Sequence, residues 1–177
     1  HKAKKEIAWG AKIRADVLAV TPFAETRPSE LGLHDRAGRV ARIGMLVRSS
    51  GSDLGMVIDP AGETATLVDG TGRALDEHQT LHAILTLLVR ARPGIRVALP
   101  VSASRVAERI VLDGGATLSW TKTADGSIME VASGRDVDVA ANANGAFVWA
   151  ESRPALDATA TFVNLLALFA ETGTSLS

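Results

Sequence analysis

With 177 residues, 46% of them hydrophobic and 22% charged, the chain has the composition of a packed protein of one ordinary or two small domains. A formal net charge of -1, with Lys and Arg spread along the chain, gives no electrostatic footprint for nucleic acid or an anionic membrane, and neither is an expected partner. The absence of cysteine excludes disulfides, thiolate nucleophiles and Cys-ligated zinc, and fits a reducing cytoplasm.

Apolar runs such as Phe162 to Ala170 fall short of the roughly 20 residues that span a bilayer, and the start HKAKKEIAWGAK lacks the apolar core of a signal peptide. A soluble, cytoplasmic protein is expected. His1 before a charged stretch, with no initiator Met, predicts a piece of a longer chain with a tag remnant at its front.

In chain order, Asp16-Val17-Leu18-Ala19-Val20 reads as a short buried strand, and Thr21 to Gly32, with Pro22 and Pro28, as a loop. A strand expected before Ala8 is missing or disguised in the charged start, which leaves the first unit dependent on neighbours for its edge pairing. Asp35 caps a helix whose Val40, Ile43 and Val47 form a buried stripe while Arg36, Arg39, Arg42 and Arg48 face water, and Ser49 to Ser52 stops it. Strands from Leu54 to Ile58 and from Thr64 to Val68 flank the turn DPAG, and Asp69-Gly70-Thr71-Gly72 makes the next turn.

The period then changes. Asp76 with Gln79 three residues on is a capping box, and Leu81, Ile84, Leu85 and Leu88 are the inner face of a helix ending before Arg92-Pro93-Gly94. A strand from Ile95 to Leu99 precedes a helix capped by Ser102 and carrying Val106 and Ile110, which Gly114-Gly115 ends ahead of a strand from Ala116 to Trp120. A weakly patterned helix is expected from Ser127 to Ala132. Val137 to Val139 and Ala146 to Trp149 flank Asn144-Gly145, a type I′ hairpin signal. The last helix places Phe162, Leu165, Leu166 and Phe169 on one face, with Pro154 near its start. The alternation predicts an α/β fold with mixed, mainly parallel sheets covered by helices. A boundary is expected near Arg73, separating an incomplete unit, residues 1–73, from a complete one, residues 74–177.

Asp59, Glu63 and Asp69 are candidate hard oxygen ligands for Mg²⁺. The competing reading is a plain hairpin turn, since Pro60 and Gly62 take the second and fourth turn positions. His78 and His82 stand at i, i+4, a spacing that can clasp a transition metal, with no third ligand in view. Ser102, Ser104 and Arg105 open a helix after a strand, where free N–H groups can receive a phosphate or a carboxylate; plain capping by Ser102 explains the same residues. Asn142, Asn144 and Gly145 offer hydrogen bonds to sugar hydroxyls or simply turn the chain, and Lys122 is an anion contact or a solvated charge. No P-loop, GxGxxG or nucleophile elbow occurs.

Taken in order, these segments resemble the α-D-phosphohexomutase superfamily, the phosphoglucomutases and phosphomannomutases. SDLGMVIDPAGETATLVDGTGRAL is similar to the segment in which an apolar strand leads into the metal loop Asp-Gly-Asp-Ala-Asp-Arg. LHAILTLLV, IRVALP, VSASR and SWTKT follow the family's third domain, and DVDVAANANGAFVWAESRPALDATATFVNLLALFA resembles its sugar loop Gly-Glu-Glu-Ser-Gly-His and the helix after it. The likeness runs from about Asp16 to Ala170 and implies a fold of the second and third phosphohexomutase domains.

The departures carry as much information. Asp59 is retained, Ala61 replaces the second Asp, Glu63 stands for the third and Thr64 for the Arg, leaving a vestigial loop and no catalytic residue. Asn142, Ala143, Asn144 and Ala146 replace Glu, Glu, Ser and His in the sugar loop, while Ser104, Arg105 and Lys122 match. The resemblance therefore implies a degenerate, non-catalytic region that binds a hexose phosphate through Ser104, Arg105, Lys122, Asn142 and Asn144, without metal or cofactor. Its setting would be a bacterial fusion of the mannose-1-phosphate guanylyltransferase type, with partners in the remaining domains of a longer chain or in a second copy. An Mg²⁺-dependent mutase fragment and a purely structural scaffold are the alternatives.

Overall fold

The computed structural model describes residues 36–174, so the strand expected at Asp16 to Val20, the loop from Thr21 to Gly32 and the cap expected at Asp35 lie outside the described residues. In chain order come α1 (Arg36–Ser50), β1 (Leu54–Ile58), β2 (Ala65–Asp69), α2 (Glu77–Ala91), β3 (Arg96–Pro100) and α3 (Arg105–Asp113). They are followed by β4 (Thr117–Thr121), α4 (Asp125–Ser133), β5 (Val139–Ala141), β6 (Phe147–Trp149) and α5 (Ala158–Thr172).

The larger sheet has the order β4-β3-β5-β6, with β4 and β5 parallel to β3 and β6 antiparallel to β5. Successive residues of a strand point to opposite faces, and here the faces differ in size. Val97, Leu99, Val139, Phe147 and Trp149 join Leu81, Leu85, Leu88, Val111, Leu165 and Leu168 in the main core, under α2, α3 and α5. Ala98, Ala140 and Val148 form the other face with Ile128 and Ala132 of α4. The β3-α3-β4 connection leads to one side of β3, and β4-α4-β5 crosses back to the other; opposite directions of travel, with crossovers of one hand, put the two helices on opposite faces.

The hairpin β1–β2 pairs Leu54 with Asp69 and Ile58 with Ala65. Its Leu54, Met56 and Leu67 face the main core, so that core crosses the boundary expected near Arg73. The opposite face receives α1. The expected stripe of α1 is narrower than its sequence suggests, with Gly44 and Val47 buried and Val40 and Ile43 half-buried. Nor does Arg36 face water alone: its guanidinium donates to the Thr66 hydroxyl at 2.9 and 3.2 Å and lies 3.6 Å from Glu77. Arg39 is half-buried, its Nε without a hydrogen-bond partner among the described residues.

Three other expectations are corrected. Ser104, not Ser102, caps α3 by accepting from the Ala107 N–H at 3.1 Å, because Ala103 N–H first closes a turn onto the Pro100 carbonyl. The Asn144-Gly145 turn is not type I′: Gly145 has φ of 77° while Asn144 does not enter positive φ, and Gly145 N–H bonds to the Asn142 carbonyl. That is the longer hairpin loop with a left-handed glycine after the turn. In α5, capped by Asp157, the fully buried positions are Ala158, Thr161, Asn164, Leu165 and Leu168, while Phe162, Leu166 and Phe169 are half-buried. Trp149 sets this rotation by donating its indole N–H to Thr161 at 3.2 Å.

α1 lies against the turn after β2 through two glycines. A Cβ on Gly44 would sit 2.5 Å from the Gly72 carbonyl oxygen, and Gly72 itself holds φ of 79°. Gly44→Ala must therefore push α1 off the hairpin, and the expected loss is about 1–3 kcal/mol of unfolding free energy in a urea titration. An unchanged midpoint would contradict this packing.

Candidate functional site

Because β3, β4 and β5 are parallel, the segments 101–104, 122–124 and 142–146 that follow them open on one edge of the sheet. The chain leaves β3 for β4 on one side and returns to β5 on the other, so the connections diverge between the C-terminal ends of β3 and β5. In open α/β sheets this switch point leaves a crevice where ligands bind. Ser104 and Arg105 stand on one side of it, Asn142 and Asn144 on the other, and Lys122 follows the next strand out. The five binding candidates thus share an edge.

Their chemistry is unequal. Arg105 is almost fully exposed and, among the described residues, pairs only with Glu108 on its own helix, at 3.0 Å, so it can turn to an incoming anion. Lys122 is exposed, with no hydrogen bond or ion pair among the described residues, and Trp120 beside it is 47% exposed. Asn142 is different: its side-chain oxygen accepts from the N–H groups of Asn144 and Ala146, both at 3.0 Å, and its amide donates to Asp125 at 3.1 Å. A buried amide so committed shapes the 142–146 loop rather than reaching a sugar. Asn144 is exposed at the tip, and Gly145 lets the loop lie on α2, where a Cβ would stand 2.9 Å from the Glu77 carbonyl.

Two contacts escape a reading by motif. His82, on the second turn of α2, brings Nε2 to 2.8 Å from the Ser104 hydroxyl, tying α2 to the loop after β3. His78 stacks on His82 at 6.4 Å, so the i, i+4 pair faces Ser104 through one member and its own neighbour through the other. Burial, and then the His78 charge, hold the His82 pKa below its ordinary value against the pull of Asp76. Asp125, at the start of α4, links the loops after β4 and β5. Neither contact has a sequence signature, since each joins segments far apart in the chain.

The residues of the acidic loop, as described, do not fit a six-oxygen Mg²⁺ site. One Asp59 carboxylate oxygen accepts from Glu63 N–H at 2.8 Å and Thr64 N–H at 3.1 Å, closing the hairpin turn. Asp69 sits at the other end of the hairpin, opposite Leu54, roughly 15 Å away at the rise of a strand. There it is 6% exposed and accepts from the Thr71 hydroxyl, Thr71 N–H and Arg73 N–H. The Thr71 hydroxyl bond chiefly, then the backbone N–H bonds, keep its pKa low against the cost of burial. Asp59 and Asp69 are turn residues on separate turns.

His82 gives a pH signature. With a folded pKa below the ordinary 6.5, the unfolded chain takes up the proton first as pH falls. The stability tied to neutral His82 is therefore complete above about pH 6.5 and declines below it, until the folded pKa is passed. His82→Gln should flatten the slope of unfolding free energy between neutral and mildly acidic pH. An unaltered slope would remove His82 as its source.

No family model matches the sequence, and no curated protein matches it. Solved structures do match in fold. One is a phosphoglucomutase/phosphomannomutase family protein of Burkholderia thailandensis, with TM-score 0.62 and 16% identity, covering 75% of this chain and 29% of that one. A protein described as a phosphomannomutase of Thermus thermophilus gives TM-score 0.65 and 18% identity over 84% of this chain and 32% of its own. The N-acetylphosphoglucosamine mutase of Aspergillus fumigatus gives TM-score 0.50 and 14% identity over 68% and 31%. The chain spans under a third of each of these proteins. Its α/β architecture is accordingly that of a segment of the phosphoglucomutase and phosphomannomutase fold.

Proposed function

We propose that this region binds a hexose phosphate at the C-terminal edge of its larger sheet and performs no phosphoryl transfer itself. The observation that carries the reading is the shared placement of Ser104, Arg105, Lys122 and Asn144 around the β3/β5 switch point. Arg105 and Lys122 supply mobile cations for a phosphate, the first turn of α3 adds its N–H groups, and Asn144 offers an amide to sugar hydroxyls. Asn142 acts as the residue that positions Asn144. Phosphoryl transfer needs cations that neutralise developing charge, and the closed Asp59 turn supports a binding role in place of a catalytic one. The sequence resemblance supports a setting in a cytoplasmic nucleotide-sugar protein of the mannose-1-phosphate guanylyltransferase type, where the region would sense the sugar phosphate or hold subunits together.

Calorimetric titration with mannose 1-phosphate and glucose 1-phosphate, with and without Mg²⁺, tests this. Binding without Mg²⁺ that weakens about tenfold or more in Arg105→Gln or Lys122→Gln is expected, each lost charge-assisted contact being worth about 1.5–3 kcal/mol. Micromolar Mg²⁺ binding that vanishes in Asp59→Ala would instead restore a metal-dependent mutase fragment. Silence with every ligand would leave a structural scaffold.

A further inference from the structure

The edge of the sheet opposite the switch point carries a cavity. An open cleft of about 680 Å³ lies between the turn after α2, the start of β3, the loop from α4 to β5 and the end of β6. That volume is in the range of small-molecule sites. Ile95 and Val137, both buried, give it an apolar wall.

Its charged groups divide into committed and uncommitted. Arg96 donates to both carboxylate oxygens of Asp138, at 2.6 and 3.2 Å, and Arg92 lies 3.3 Å from Glu171. Arg135 and Glu151 also line the cleft, yet their charged groups make no hydrogen bond or ion pair among the described residues, and they do not pair with each other. One free cation and one free anion face the same space.

Arg135 is also conformationally unusual. It is the one non-glycine residue among those described with positive φ, 59°, a conformation that costs a side-chain-bearing residue roughly 1–2 kcal/mol. Arg96 holds it there by donating to the Arg135 carbonyl at 3.2 Å. Arg135 follows Gly134, the C-cap of α4, at the position where helices commonly end in this left-handed conformation, and its N–H bonds to the Ala132 carbonyl.

We propose that this cleft binds a small zwitterion of the amino-acid class, its carboxylate on Arg135, its ammonium on Glu151 and an apolar side chain against Ile95 and Val137. A simple anion on Arg135 would share the cleft with the Glu151 carboxylate, and a simple cation on Glu151 would share it with the guanidinium. A zwitterion satisfies both. The carbonyl ends of α2 and α4 reach this edge as well and favour the ammonium. The site stands on the opposite edge from the proposed hexose phosphate site, so the two are separable by mutation.

The test is an amide chemical-shift titration of the full chain with L-leucine, beside 4-methylpentanoate, which lacks the ammonium, and 3-methylbutylamine, which lacks the carboxylate. Leucine should give saturable shifts at the amides of Ile95, Val137 and Ala150, with both half-ligands about tenfold weaker or worse, a loss of about 1.4 kcal/mol. Arg135→Gly, which relieves the backbone while deleting the guanidinium, and Glu151→Gln should each weaken leucine to a similar degree. No saturable shift with leucine, equal binding of either half-ligand, or indifference to both substitutions would overturn the assignment.

Discussion

The constraint on which the structure depends is the position of β3. It has a parallel neighbour on each side and a helical layer on each face, so Val97, Ala98 and Leu99 are removed from water completely. The β3-α3-β4 and β4-α4-β5 connections run in opposite directions along the sheet, and α3 and α4 lie on its opposite faces, as two crossovers of one hand require. The crevice between the ends of β3 and β5 is the geometric remainder of that solution. An edge of the kind at which open α/β sheets bind ligands is thus built into the topology before any side chain is chosen for it.

What the side chains add is fixation of the loops around that edge. The loops after β3 and β5 are each tied to an element outside them: His82 reaches Ser104, Asp125 reaches Asn142, and Gly145 settles on the first turn of α2. Polar groups that look available in the sequence are therefore divided between those that hold the loops and those that remain exposed on them. Arg105, Lys122 and Asn144 belong to the second group. The hairpin β1–β2 shows the same division, since Asp59 and Asp69 hold their own turns, and Gly62 of the first turn accepts the Ala158 N–H at the start of α5. The hairpin is thereby pinned at its tip as well as along its apolar face.

Local signals were legible where local physics decides. β1 begins and ends where its apolar run does, and the Asp76–Gln79 capping box forms as its spacing requires, with bonds of 2.7 and 3.0 Å. β2, β3 and β4 each begin and end one residue later than periodicity suggests, because ladder pairing and not apolarity sets strand ends. The misreadings arose where a distant partner or an unforeseen backbone turn intervened. Thr161 is drawn inward by Trp149, Arg36 is captured by Thr66, and the choice between Ser102 and Ser104 rests on a backbone turn at Pro100. At the site, the residue types and their common edge followed from strand order, whereas the commitment of Asn142 and the contact between His82 and Ser104 exist only in three dimensions.

In the proposed function, this region meets its ligand at the switch-point edge and not at the hairpin turn at Asp59. Hydrogen exchange read by mass spectrometry, with and without mannose 1-phosphate, tests it most directly. The account predicts added protection in residues 101–107 and 142–146, with the segment 59–64 unchanged. Protection confined to 59–64, or spread evenly over the sheet, would contradict it.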